Sequence, residues 1–254
     1  QMASLAPTLQ DRVGLKTSLS ATPAMTFLLG SFEHPETVAS SVSWRIGLFM
    51  AAALSVLAAL TVVRHTRAEE EAGRLELLAA GQLGRAAGLA AALIAALTLV
   101  LVVAMASSVT LIGHGANPSQ SIGHGVALAV PALVSLSVAA VAAQLTATAR
   151  AAKSIVITFV LVAYVLRGVS DLRGQSAIGA LNPFGWYEAV DPFGELHLWP
   201  LWLSIAVATV LTLSACLVAF RRDLGAGLFA IGAGRPNSRH LIGPITRSEE
   251  HTSE

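Results

Sequence analysis

The stretch AAGLAAALIAALTLVLVVAMASSVTLI, residues 86–112, has no charged side chain and no proline, and its reading decides the fold. A hydrocarbon layer about 30 Å thick is crossed by roughly 20 apolar residues in helical form, and this run exceeds that length. Its apolar residues follow one another without the in-out alternation of a barrel strand. In lipid every backbone N–H and C=O must be satisfied within the protein, so the run is a helix. Four further stretches read the same way, at approximately 44–63, 125–147, 154–170 and 199–220. The fold class is therefore all-α: a polytopic membrane protein with about five transmembrane helices.

Composition agrees. Hydrophobic residues make up 54% of the chain and charged residues 12%, against about 25% charged in an ordinary soluble domain, and mean hydropathy is +0.68. Membrane lipid is the surrounding partner. A net charge of +1 gives no clustered cationic surface for a phosphate backbone, so no nucleic-acid partner is expected. The single cysteine, Cys216, lies inside an apolar block and supports neither a disulfide nor a metal site.

Positive charges fall on one side of this arrangement. Arg64, Arg67, Arg74 and Arg85 lie between the first two spans, Arg150 and Lys153 between the third and fourth, and Arg221 and Arg222 after the last. The loop HGANPSQSIGHG at 114–125 has no Lys or Arg, and 171–198 has only Arg173. The Arg-rich side is expected to be cytoplasmic, with the C-terminal end inside and the chain in the plasma membrane. Trp44, Trp186, Trp199 and Trp202 then mark the outer boundary, where amphipathic rings prefer the headgroup layer. The expected organisation is an external segment at 1–43, whose outside location calls for an earlier span or a cleaved signal, a membrane domain at 44–230, and a cytoplasmic linker at 231–246. Residues 247–254, RSEEHTSE, resemble the in-frame translation of a sequencing-library adapter and are set aside from the fold.

The most informative polar stretch is RHTRAEEEAGRLELLAAGQLGR, residues 64–85. Read as a helix it is two-faced. Ala68, Ala72, Leu75, Ala79 and Leu83 form an apolar stripe, with Arg67, Glu70, Glu71 and Arg74 on another face. Arg67 with Glu71, and Glu70 with Arg74, are four apart and can pair, at about 0.2–0.5 kcal/mol each on an exposed helix. The expectation is an amphipathic helix lying along the membrane surface and offering charge outward.

EEEAGRLELLAAGQLGR resembles the coupling-helix segment of type-2 ABC exporter permeases, and most specifically the actinobacterial polyketide-antibiotic exporter type. YEAVDPFGELHLWPLW, preceded by LNPFGW, resembles the outer loop leading into the sixth span of each half of such permeases. AFRRDLGAGLFA at 219–230 resembles the cytoplasmic end of that span, and SLSATPAMTFLLGSF resembles the external segment after the first. Gln82 departs from the pattern, standing where many relatives have proline. The resemblance implies spans two to six of a six-span half, with a second permease half and an ABC ATP-binding subunit as partners. It implies that Glu69, Glu70, Glu71, Gly73, Arg74 and Glu76 transmit closure of that ATPase to the spans. No GxxxxGK[ST] sequence occurs, so the chain itself is not expected to be an enzyme or to hold a cofactor; ATP and Mg would sit on the partner subunit. The implied function is export of lipophilic small molecules, antibiotic or drug-like.

The spans contribute a second hint. Their polar groups are mostly uncharged (Ser107, Ser108, Gln144, Thr146, Thr158, Ser214), which favours lipophilic cargo over ions. Arg167, four before Asp171 near the outer end of its span, reads as a snorkelling or helix-end pair rather than a substrate contact. Pro131 is a candidate kink, and Gly84 with Gly88 a candidate close helix approach. His114 and His124, each followed by glycine, read as solvated loop residues: a catalytic zinc needs three protein ligands, and no HExxH or GxSxG is present, which disfavours an intramembrane enzyme. The alternatives that stay open are a secondary transporter and a structural membrane subunit.

Overall fold

The computed structural model describes residues 8–20, 22–72, 87–174 and 176–221. Two short helices, α1 (Leu9–Ser20) and α2 (Pro23–Leu29), precede the first long one, α3 (Val38–Glu71). Then come α4 (Ala87–Gly113), α5 (Pro118–Leu145) and α6 (Ala149–Arg173). The short helices α7 (Ser176–Ala180) and α8 (Pro183–Ala189) lead into α9 (Trp199–Arg221). Among the described residues there is no strand. Five helices, α3, α4, α5, α6 and α9, are long and apolar enough to cross a membrane, so the chain is an all-α multi-pass membrane protein.

The helices start where their caps dictate. Thr37 accepts from Ser40 N–H at 3.0 Å ahead of α3, and Thr148 accepts from Ala151 N–H at 3.2 Å ahead of α6. Asn117 accepts from Ser119 N–H at 2.9 Å with Pro118 in the first turn of α5, and Asn182 with Pro183 repeats the device at α8. Each such cap satisfies an otherwise orphaned N–H, and proline in the first turn gives up none that was needed. Three spans therefore begin earlier than their apolar runs, at 38, 118 and 149. α6 ends on Gly174, whose φ of +60° is the left-handed conformation that glycine adopts without steric penalty.

α5 is the centre. In its most apolar window 78% of residues are buried, against 17% in α9, and α3, α4, α6, α8 and α9 all pack on it. Its buried face is built from small residues, among them Ala127, Ala132, Ser135, Ala139 and Ala143, which let neighbouring backbones approach closely. One close approach is at Gly125, where an added Cβ would lie 2.4 Å from Ser108 Oγ and 2.7 Å from the Ala104 carbonyl oxygen. Of the expected Gly84–Gly88 contact, Gly84 lies outside the described residues. α5 continues through Pro131 as one helix, with Ser135 Oγ donating to the Pro131 carbonyl at 2.8 Å.

Two polar faces result. One carries the ends of α3 and α5 and the starts of α4 and α6, the Arg-rich face. The other carries the starts of α3, α5 and α9 and the short helices. The tryptophans on that second face divide: Trp199 and Trp202 are exposed, but Trp186 is buried, donating to the Ala180 carbonyl at 2.6 Å, and Trp44 is half-buried, stacked on Phe32 and donating to the Gly30 carbonyl at 2.9 Å. Two of the four thus hold the connections on that face together instead of meeting headgroups, because their indole N–H groups find carbonyl partners inside the fold.

Candidate functional site

At the Arg-rich face α3 does not stop with its apolar run. It goes on through a wider π turn at Arg64–Ala68 and a last α turn at Glu69–Glu71. A π turn takes in one extra residue and shifts the side-chain register. Here it turns Thr66 and Arg67 inward while Arg64 and His65 stay exposed. Arg67 is 1% exposed. Its guanidinium donates to the Glu70 carboxylate and, through Nη2, to the backbone carbonyl of Thr146, the C-cap of α5. One turn further on, Glu71 Oε1 accepts the N–H of Ala149, the first residue of α6, at 2.7 Å. A cation thus sits at a helix C-terminus and an anion at a helix N-terminus, the sign that each helix dipole favours.

This arrangement corrects the expectation of an outward-facing charged helix at its start. Arg67 pairs with Glu70, three residues on, not with Glu71, because the π turn and the α5–α6 turn draw the guanidinium inward. Ala68 packs against the core, whereas Ala72 is exposed. Glu69 and Glu70 are half-buried and Glu71 remains exposed while capping α6. Gly73, Arg74 and Glu76, and with them the Glu70–Arg74 pair and the rest of the apolar stripe, lie outside the described residues.

The opposite face holds a second buried cation. Arg167 is 0% exposed. Its Nη1 donates to Asp171 Oδ2 at 2.9 Å and to Glu188 Oε1 of α8 at 3.0 Å, its Nη2 donates to the Phe27 carbonyl of α2, and it lies 5.1 Å over the Tyr164 ring. The expected pair with Asp171 is present, but the guanidinium is enclosed and does not snorkel. Two carboxyl groups share one guanidinium here, and burial pushes Glu188 up to about 8, with Arg167 opposing. Beside it, His124 lies on α5, not in a loop: it is buried, with Nδ1 2.7 Å from Ser43 Oγ. The buried Tyr187 hydroxyl also hydrogen-bonds Ser43, and burial raises its pKa. His114, by contrast, is exposed, its ring nitrogen 2.7 Å from the Thr110 carbonyl. The two histidines have separate partners and separate surroundings. An adjoining cavity of about 340 Å³ is lined by Glu33, His34, Trp44, Glu188 and Asp191, with Asp191 2.9 Å from His34 Nε2.

Between these faces an apolar groove of about 980 Å³ runs along α4, α5 and α9. Leu101, Met105 and Val109 line one wall, Ala129 and Leu133 the floor, and Ile205 and Leu213 the other wall. Two of its hydroxyls are already satisfied by their own helix: Ser108 donates to Ala104 at 2.9 Å and Thr209 to Ile205 at 2.7 Å. The groove consequently presents almost pure hydrocarbon and falls at the upper end of small-molecule site volumes.

Arg67, Thr146 and Ala149 as a unit, and Glu188 as the second partner of Arg167, were not singled out from the sequence. One signal was available: a charge within or at the end of a span needs a partner, and TATARAA at 146–152 opens a helix with a threonine cap.

Comparison with known proteins places the chain. The family profile described as multidrug efflux system permease Rv1217c, C-terminal domain, matches residues 12–221. The multidrug efflux system permease protein Rv1217c of Mycobacterium tuberculosis (strain ATCC 25618 / H37Rv) is 35% identical over 224 residues, covering 88% of this chain. The chain spans 40% of the length of that relative.

Proposed function

The chain belongs to the family of the multidrug efflux permease C-terminal domain, and from that premise we propose that it is part of the membrane permease of an ATP-driven exporter of lipophilic small molecules. ATP and Mg are held by a separate ATP-binding subunit, and a second permease half completes the path. The Arg-rich face is cytoplasmic, and Glu69 and Glu70, with Gly73, Arg74 and Glu76, lie on the segment that meets the ATPase, while Glu71, on the same segment, is turned to the Ala149 N–H.

The observation that carries the cargo class is the 980 Å³ groove. A charged or strongly polar ligand entering it would exchange water for hydrocarbon without compensating hydrogen bonds, at a cost of several kcal/mol, whereas an apolar ligand gains about 25 cal/mol for each Å² it buries. The test is ATP-driven transport of Nile red into the lumen of inverted vesicles holding the full-length permease with its ATPase, the direction that corresponds to export from the cell. Ala208→Trp, which projects a ring into the groove, is expected to lower dye export about tenfold while leaving a small hydrophilic dye unexported as before. Unchanged Nile red export would remove the groove from the path.

The Arg167, Asp171 and Glu188 cluster favours a second reading, since buried charge of this kind also serves ion-coupled transporters. Export that survives ATP depletion and stops with a protonophore would establish that reading in place of the first.

A further inference from the structure

We propose that Arg67 and Glu71 are positioning residues that make the α5–α6 turn move with the end of α3, so that a displacement delivered to the segment after Glu71 reaches the floor of the apolar groove. This rests on the coupling reading above and assigns these two residues a role other than contact with the ATPase.

The geometry points to it in three steps. First, residues 64–71 are continuous with the span, so force entering at the end of α3 meets Arg67 and Glu71 within one turn. Second, both residues reach across to the same short connection: Arg67 to the Thr146 carbonyl that ends α5, Glu71 to the Ala149 N–H that begins α6. Apolar helix faces can shear past one another by small sliding steps. A charge-assisted bond to each of two adjoining helix ends resists that sliding, because moving either helix breaks a directed contact. Third, the helix so gripped is α5, which contributes Ala129 and Leu133 to the groove and is the most buried of the five described spans. Without the grip, a push on α3 would be absorbed at the α3–α5 interface. With it, the push shifts the groove floor against α4 and α9.

The experiment uses the full-length permease reconstituted with its ATPase and reads Nile red exported per ATP hydrolysed. Arg67→Met and Glu71→Ala should leave the ATPase bound and hydrolysing while the ratio falls about tenfold, within the usual span of a coupling between two sites. Glu71→Gln, which still accepts from Ala149 N–H, and Arg67→Lys, which can still reach the Thr146 carbonyl, should recover most of it. A purely structural role would lower export and hydrolysis together and leave the ratio unchanged, which would overturn the proposal. Loss of the bound ATPase in Arg67→Met or Glu71→Ala would also overturn it, by making these residues direct contacts while the coupling reading stands. If Arg67→Met fails to fold, Arg67→Lys and Glu71→Ala decide alone. Wild-type export that is independent of ATP would remove the coupling reading and the proposal with it.

Discussion

Among the described residues Arg67 and Arg167 are the largest fully buried side chains, and each is tolerated for the same reason: a carboxylate and a backbone carbonyl replace the water it gives up. Removing one partner of such a set leaves the other charge buried and uncompensated, a change that costs about 3–5 kcal/mol. Arg167→Leu should therefore unfold at markedly lower temperature in detergent, and Arg167→Leu combined with Asp171→Leu should be less damaged than Arg167→Leu alone. Glu188 adds a pH dependence. Its carboxyl titrates near 8 in the fold and in the ordinary carboxylate range when unfolded, so between those values the native state holds a proton that the unfolded chain has lost. Stability then falls as pH rises from about 5 to about 8. Thermal unfolding across that range should show a decline in wild type that Glu188→Gln lacks.

At the scale of elements, the apolar runs made five helices legible because length and composition alone decide what can cross lipid. Their ends were less legible. Residues 38–43 and 118–124 are rich in Ser, Gly and His and read as loops, yet they are helical because Ser43 and His124 satisfy each other and the caps Thr37 and Asn117 satisfy the first turns. Pairing of that kind is tertiary and leaves no mark in hydropathy, although Asn117-Pro118 is a helix-start signature that can be read locally. Asn117→Ala should cost about 1 kcal/mol of stability. Gly125→Leu should cost more, about 1–3 kcal/mol, because its side chain would meet the Ala104 backbone and push α4 from α5. Both values can be read from unfolding midpoints in detergent, with helix content by circular dichroism as the control.

For the whole molecule, the sequence singled out residues 64–85, and the contacts of its described part, 64–72, could not be read from it. The acidic run at 69–71 marked the end of α3 as polar, and only the fold shows that Arg67 and Glu71 turn toward a connection far along the chain. The apolar groove was invisible because its lining comes from three helices whose facing sides cannot be told apart by composition. The two polar faces make orientation testable. In a Cys216→Ser background, Ser119→Cys and Arg150→Cys place single exposed thiols on opposite faces. An impermeant maleimide applied to intact cells should label position 119 and spare 150, and the reverse pattern would invert the assigned topology. The grip of Arg67 on Thr146 also sets a timetable for biosynthesis. The two residues are 79 positions apart, so at about 5–20 residues per second a nascent chain carries the guanidinium for about 4–16 s before its acceptor exists. During that interval the end of α3 must rest in the headgroup layer, and it can be drawn inward only when α5 has been made. α3 is therefore inserted before α5 is made and reaches its native depth only afterwards.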